Sequence, residues 1–298
     1  QVFKRTFEAK KEVIMNLYAI ETGLFKLDGG AMFGVVPKSL WSKRYEADSN
    51  NMCTWAMRCL LVEYSDRLVL VDTGIGSKQS EKFFSHYFLH GDATLDKSLA
   101  QHGFHRDDIT DVFLTHLHFD HCGGAIERNP KSDAYRPAFK NARYWSHEDH
   151  WKWATEPNAR EKASFLKENI LPIQESGQLN FVSSNGNFTE ELFPGFKALL
   201  VHGHTEAQMI PHISYKGQAI VFMADLLPSH AHVPLPWVMG YDTRPLLTLS
   251  EKEKFFKTAV ANDYTLMFEH DSVHQCGKLT QTDRGIRFDS GFDLSEFL

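Results

Sequence analysis

Thr115–Gly124 reads THLHFDHCGG, and the rest of the chain is arranged around it. His116, His118, Asp120 and His121 place four potential metal ligands within six residues. Packing does not account for that density, because aspartate is almost never fully buried unless paired. The stretch follows the apolar run Asp111–Leu114 (DVFL), which reads as a strand end. Side chains alternate along a strand, so His116 and His118 are expected to point the same way. A helix starting at Asp120 and His121 would turn those two back toward the same point. Imidazoles and a carboxylate converging there suit Zn²⁺ or a similar divalent ion. Gly123 and Gly124 allow a tight turn or a close backbone approach.

Outside this stretch the composition bounds the answer. The chain has 298 residues, 42% hydrophobic and 23% charged, which describes a soluble globular protein. The net charge of −6 supplies no broad basic surface for nucleic acid. No apolar run approaches the roughly 18 residues of a membrane helix. A small-molecule substrate is therefore the expected partner, with neither nucleic acid nor membrane, and a homodimer as the open alternative to a monomer. Cys53, Cys59, Cys122 and Cys276 form no CxxC pair, and a reducing, cytoplasmic compartment is the simpler reading. Cys122 lies inside the motif but reads as a small packing residue, since its neighbours already fill a ligand set. Residues 1–14 lack the apolar core of a signal peptide and read as an N-terminal extension; 15–298 read as one domain.

Periodicity places strands at Asn16–Lys26, Thr54–Tyr64, Arg67–Val71, Ala142–Ser146, Phe196–Val201 and Thr265–Phe268, with a hairpin around Lys216-Gly217 and another in the tail. Helical spacing marks Ser77–His90, Leu95–His102, His147–Trp153, Ala159–Ile170 and Leu246–Asn262. His147 and His150 read as surface helix residues. Leu27–Trp41 is glycine-rich and contains a proline, so it reads as a long loop, yet its apolar residues Met32, Phe33 and Trp41 suggest a flap over a site.

The chain resembles the metallo-β-lactamase fold hydrolases in five motifs that occur in the family order. HLHFDH (116–121) is similar to the HxHxDH signature, and Asp72-Thr73-Gly74 to an early strand-end turn. Gly203-His204-Thr205 is similar to the motif carrying a third histidine, Asp225 to a bridging carboxylate, and His270 to the last histidine. The resemblance implies an αββα sandwich: two mixed β-sheets face to face, with helices outside. It assigns His116, His118 and His204 to one Zn²⁺, Asp120, His121 and His270 to a second, and Asp225 to both. Asp72 would orient the metal-binding loops. Such metals, about 3.5–4 Å apart, share a hydroxide that serves as nucleophile, and Asp120 would also carry a proton to the leaving group. Members with redox di-iron chemistry have Glu where His118 stands, so hydrolysis is implied. The nucleases of the fold need a large insertion between the last two ligands, where only 44 residues lie here (226–269). The segment around Met32–Trp41 resembles a subgroup of lactonases and organophosphate hydrolases. Many lactonases carry a tyrosine three residues after the bridging aspartate; Pro228 stands there, which leaves His232, or else His230, to polarise the substrate.

These features imply a dinuclear zinc enzyme opening N-acyl-homoserine lactones. The alternatives are a phosphotriester or aryl-ester hydrolase and, in another class, a non-catalytic metal-binding regulator. Met32, Phe33, Trp41, Phe119, Trp237 and Met239 are the expected wall for an acyl chain.

Overall fold

The computed structural model describes residues 15–298; the N-terminal extension expected over residues 1–14 lies outside the described residues. Two mixed sheets pack face to face. The first has six strands in the order Met15–Asp28, Met52–Tyr64, Leu68–Val71, Asp111–Phe113, Arg143–Ser146 and Leu179–Phe181. Its first two pairings are antiparallel and the remaining three are parallel. The second has eight strands, and its one parallel pairing joins Gln218–Phe222 to Thr265–Met267. This is the expected αββα architecture.

The side-chain alternation of a strand builds the layers. Leu60, Val62, Val69, Val71 and Phe113 face the other sheet, where Phe196, Ile213, Ile220 and Phe222 complete a shared core. The intervening Cys59, Leu61, Leu68, Leu70 and Val112 point the opposite way. They are covered there by Leu95 and Leu99 of one helix, Trp151 of another, and Ile170 and Ile173 of a third. The long helix Pro245–Ala261 buries Phe255, Phe256 and Ala259 against the second sheet.

Several expected elements are shorter or shifted. Ser77–His90 holds only a four-residue helix, Glu81–Phe84, because the chain leaves it to pair His90 with Leu24. The helix expected over Ala159–Ile170 instead spans Lys167–Glu175. The Leu27–Trp41 segment is not a loop throughout: Met15–Asp28 runs into it as strand, and two short helices, Gly29–Phe33 and Lys38–Trp41, follow. Asp28 caps the first by accepting from the Ala31 N–H at 2.9 Å. The strand before the metal motif stops at Phe113, one residue early.

Lys252 projects from the long helix into the interior, only 1% exposed. Its Nζ donates to the carbonyls of His232 and Trp237, both at 2.8 Å, and so pins the 226–241 loop. Burial pushes this amine down to about 7. Between that value and its ordinary one near 10.4, the unfolded chain binds the proton and the folded chain does not. Stability is therefore expected to rise with pH across this window, by up to about 1.4 kcal/mol per pH unit. In Lys252→Met the slope of urea stability against pH from 7 to 10 should be flatter than in the parent. Equal slopes would refute the assignment.

Candidate metal centre and active-site cleft

The expected ligands and Asp72 all follow the carboxyl ends of strands, where open sheets leave room for ligands. Asp72 follows Leu68–Val71, the HLHFDH stretch follows Asp111–Phe113, His204 follows Phe196–Val201, Asp225 follows Gln218–Phe222, and His270 follows Thr265–Met267. Two of the turns carry strain. Asp72 has φ +59° and Ala224 φ +40°, left-handed values that non-glycine residues rarely take. A Cβ on Gly123 would come within 2.1 Å of the Ile75 carbonyl oxygen, and one on Gly124 within 2.2 Å of that of Thr73. Both glycines thus serve close approach, of the Asp72-Thr73-Gly74 turn to the metal stretch. The four-residue helix Phe119–Cys122, entered at His118, swings Asp120 and His121 back as the spacing predicts.

The side chains gather in two buried groups. His116, His118, His204 and Asp225 form one, and Asp120, His121 and His270 the other; within each, one ligand atom per residue lies within 4.8 Å of the rest. His118 Nδ1 stands 3.1 Å from both His116 Nε2 and His204 Nε2. His270 Nε2 stands 3.1 Å from His121 Nε2. Asp225 spans the groups, with Oδ2 at 3.1 Å from His204 Nε2 and Oδ1 at 3.1 Å from His270 Nε2. Asp120 Oδ2 lies 3.7 Å from His270 Nε2 and 3.9 Å from His121 Nε2.

The second nitrogen of each ring faces an oxygen outside the cluster. His204 Nδ1 donates to Asp242 Oδ1 at 2.9 Å, and His270 Nδ1 to the Ala56 carbonyl at 2.8 Å. His121 Nδ1 lies 2.9 Å from Glu269 Oε2 and 3.1 Å from Asp72 Oδ2. His118 Nε2 lies 3.5 Å from Glu161 Oε1. His116 Nδ1 lies 3.1 Å from the Thr115 hydroxyl, which itself donates to Asp72 at 2.6 Å. With one nitrogen of each ring turned outward to an oxygen, the other presents its lone pair to the cluster. Lone pairs that face one another at 3.1 Å need a positive centre between them, and this donor set fits divalent metal. Burial alone would raise the Asp225 carboxyl, but the His270, His121 and His204 rings hold it well below the usual carboxylate range. Burial opposes charge on the rings, yet Asp225 draws His204 up to about 10 and His270 to about 9, so protons compete with metal for these nitrogens.

Asp72 stands where the sequence reading puts it, accepting from Thr115 N at 2.8 Å and touching His121. Glu161, Asp242 and Glu269 escaped that reading. Each is buried behind a ring, and each comes from a segment with no motif of its own, although Glu269 precedes His270 directly. His150 was misread as a surface residue. It is 1% exposed, and its Nε2 accepts from Leu117 N at 2.8 Å while Nδ1 donates to the Glu206 carbonyl at 2.5 Å, bracing the metal stretch. His147 is buried too, and caps the helix Glu148–Thr155. Cys122 points into the helix-side core; burial pushes its thiol up to about 12, so it offers no thiolate.

A cleft of about 350 Å³ opens onto both groups. His118, Asp120, His204, Asp225 and His270 form its floor, and Leu27, Met32, Phe119 and Met239 supply apolar wall. Tyr87, Arg160 and Tyr241 complete it. Burial and the nearby Asp120 carboxylate push the Tyr241 phenol up, so it remains a hydrogen-bond donor.

The two histidines expected to polarise the substrate lie outside the cleft. His232 is 1% exposed; its Nε2 donates to the Met32 carbonyl at 2.9 Å and its Nδ1 pairs with the Ser229 hydroxyl at 2.8 Å. Burial pushes it down to about 3, so it is a neutral ring with neither nitrogen to spare. His230 is turned to Asp271, 2.5 Å away, and packs beside His274 and Phe288. Phe33, Trp41 and Trp237 are corrected likewise. Phe33 is fully buried, stacked on His232 at 4.6 Å and on Trp41 at 5.0 Å, with Trp237 against its edge at 5.9 Å. These rings support the cleft wall from beneath. His232→Ala is therefore expected to cost about 2–4 kcal/mol of folding stability, through the lost stacking and two lost hydrogen bonds. Unchanged denaturant stability with a selectively lower kcat would return the ring to the chemistry.

Comparison with known proteins agrees with this fold. The model of the metallo-beta-lactamase superfamily matches residues 58–260. An N-acyl homoserine lactonase of Bacillus cereus is 24% identical over 241 residues, covering 76% of this chain and 84% of its own. A probable metal-dependent hydrolase from Staphylococcus aureus superposes with a TM-score of 0.84 at 30% identity, over 95% of this chain and 98% of that one. AidC, described as a dizinc quorum-quenching lactonase in complex with its product, superposes at 0.74 and 22% identity, over 94% and 95%. Among the described residues no helix is long and apolar enough to cross a membrane. The superfamily match spans well over half of the sequence, and the chain therefore belongs to the metallo-beta-lactamase superfamily, as one of its metal-dependent hydrolases.

Proposed function

We propose that this hydrolase is a dinuclear zinc lactonase that opens the ring of N-acyl-homoserine lactones. The observation that carries the reading is the cleft: its floor is the two ligand groups, and its wall is apolar at Met32, Phe119 and Met239. A volume near 350 Å³ lies toward the small end of ligand sites, about 300–1,000 Å³, and suits a lactone ring with a short acyl chain. The lactonases among the relatives support the same substrate class. Two divalent ions bound there supply Lewis acidity and a water nucleophile at neutral pH.

The chain's own residues do the rest. Asp225 turns one oxygen to each group and sets their spacing. Asp242, Glu161, Glu269 and Asp72 hold the rings in one orientation. Asp120 reaches the cleft with an oxygen near His121 and His270, and carries the proton to the leaving alkoxide. Met32, Phe119 and Met239 exclude water from the acyl chain.

The test is hydrolysis by metal-quantified protein of lactones with graded acyl chains, beside phosphotriesters and β-lactams. Each methylene buried adds at most about 0.8 kcal/mol, so KM should fall up to about fourfold per methylene until the cleft is full. A KM independent of chain length, or phosphotriesters outrunning every lactone, would overturn the reading. The second reading, a phosphotriester or aryl-ester hydrolase, draws on one observation: donors that line the cleft, among them Arg160, Tyr87 and Tyr241, suit a phosphoryl oxygen as well as a carbonyl.

A further inference from the structure

We infer that Arg160 is a specificity-determining residue that binds the amide oxygen of the acyl side chain, an inference that rests on the lactonase reading. Arg160 lines the cleft, and among the described residues no carboxylate lies within ion-pair distance of it. Its Nη2 donates to the carbonyls of Gly240 and Asp242, on either side of Tyr241. An arginine has five N–H groups. Both on Nη2 are spent on those carbonyls, and the three on Nε and Nη1 find no acceptor among the described residues.

The position of this cation follows from its neighbours. Glu161, the next residue, lies 3.5 Å from His118 Nε2. Asp242, whose carbonyl Arg160 holds, also holds His204 Nδ1 at 2.9 Å and the Met239 N–H at 3.1 Å. The two loops that brace His118 and His204 are thus stapled together by Arg160. The same loops supply Ser164, Met239 and Tyr241 to the wall. Arg160 is exposed at the cleft, and its two bonds to the 240–242 backbone hold one edge of the guanidinium, so presenting the other edge to a substrate costs less further side-chain entropy than for a free arginine.

A lactone whose ring carbonyl sits at the ligand groups has its side-chain amide oxygen a few bonds away, toward the wall. A planar cation with uncommitted donors in the wall of the same cleft selects an oxygen acceptor there. The apolar residues beyond it then take the alkyl chain. Discrimination between N-acyl-homoserine lactones and alkyl lactones without the amide is the expected consequence.

The experiment measures kcat/KM of the metal-loaded full chain for N-hexanoyl-homoserine lactone and for a γ-alkyl lactone of similar length that lacks the amide. In Arg160→Met the ratio of the two values should fall about 10- to 100-fold, mostly through KM for the amide substrate. Arg160→Lys, which keeps the cation, should recover part of that ratio. Loss of activity toward both lactones in equal proportion would reduce Arg160 to a loop staple and overturn the proposal, as would an unchanged ratio. Failure of the parent protein to open either lactone would instead sink the lactonase reading itself, and the assignment with it.

Discussion

Asp225→Asn is expected to lower kcat/KM by on the order of 10³-fold, equivalent to about 4 kcal/mol of transition-state stabilisation. Asp225 alone faces both ligand groups, with one carboxylate oxygen 3.1 Å from a nitrogen of each. An amide keeps the shape but presents one neutral oxygen and one NH₂, and the NH₂ cannot ligate. The charge also matters. Five imidazoles and Asp120 share this buried space, and the Asp225 anion is what draws His204 and His270 toward positive charge. Elemental analysis after dialysis should find about two metals per parent chain and one or fewer in the variant. The core between the sheets involves no part of this carboxylate, so far-ultraviolet circular dichroism should remain that of the parent. A variant that keeps both metals and near-parental turnover would remove Asp225 from the centre of the site.

Stripping the metal is expected to have the second large effect, abolishing turnover and lowering Tm together. The reason lies in what the fold buries. Asp72, Glu269 and His121 are fully buried, and Asp225 and His270 nearly so. Burying charge without compensation is costly. A ligand that binds only the folded state at 1,000 times its Kd adds about 4 kcal/mol of stability, and two cations bound that tightly would exceed it. Prolonged dialysis against a chelator should therefore depress Tm by roughly 10 °C or more, and re-addition of Zn²⁺ should restore Tm and activity in parallel. Identical melting with and without chelator would mean that the groups do not hold metal in solution.

Every proposed ligand is legible in the sequence because each sits next to a strand end within a short local phrase. In HLHFDH, spacing alone brings four donors to one place, and the two glycines after it announce the close approach that Ile75 and Thr73 impose. The layered fold is legible for the same reason. The unbroken apolar runs Leu60–Val62 and Leu68–Val71 mark strands buried on both faces, whatever packs on them.

The cleft wall and the braces behind the rings were not legible. Phe33 and Met32 are adjacent and both apolar, yet Met32 lines the cleft while Phe33 lies beneath, stacked on His232. Nothing near either residue distinguishes them, since the partner that claims Phe33 lies about 200 positions along the chain. His232 fails as the polarising group because its ring nitrogens are claimed by Met32 and Ser229. Glu161, Asp242 and Glu269 become braces only when the sheets bring each carboxylate behind an imidazole. The sequence by itself determined the ligand set and the buried strands of the layers, because strand geometry converts local spacing into direction and unbroken apolar runs demand cover on both faces. Only the tertiary structure decided which aromatic rings face substrate and which carboxylates orient the histidines, because burial and hydrogen-bond partnership are settled by groups distant in the chain.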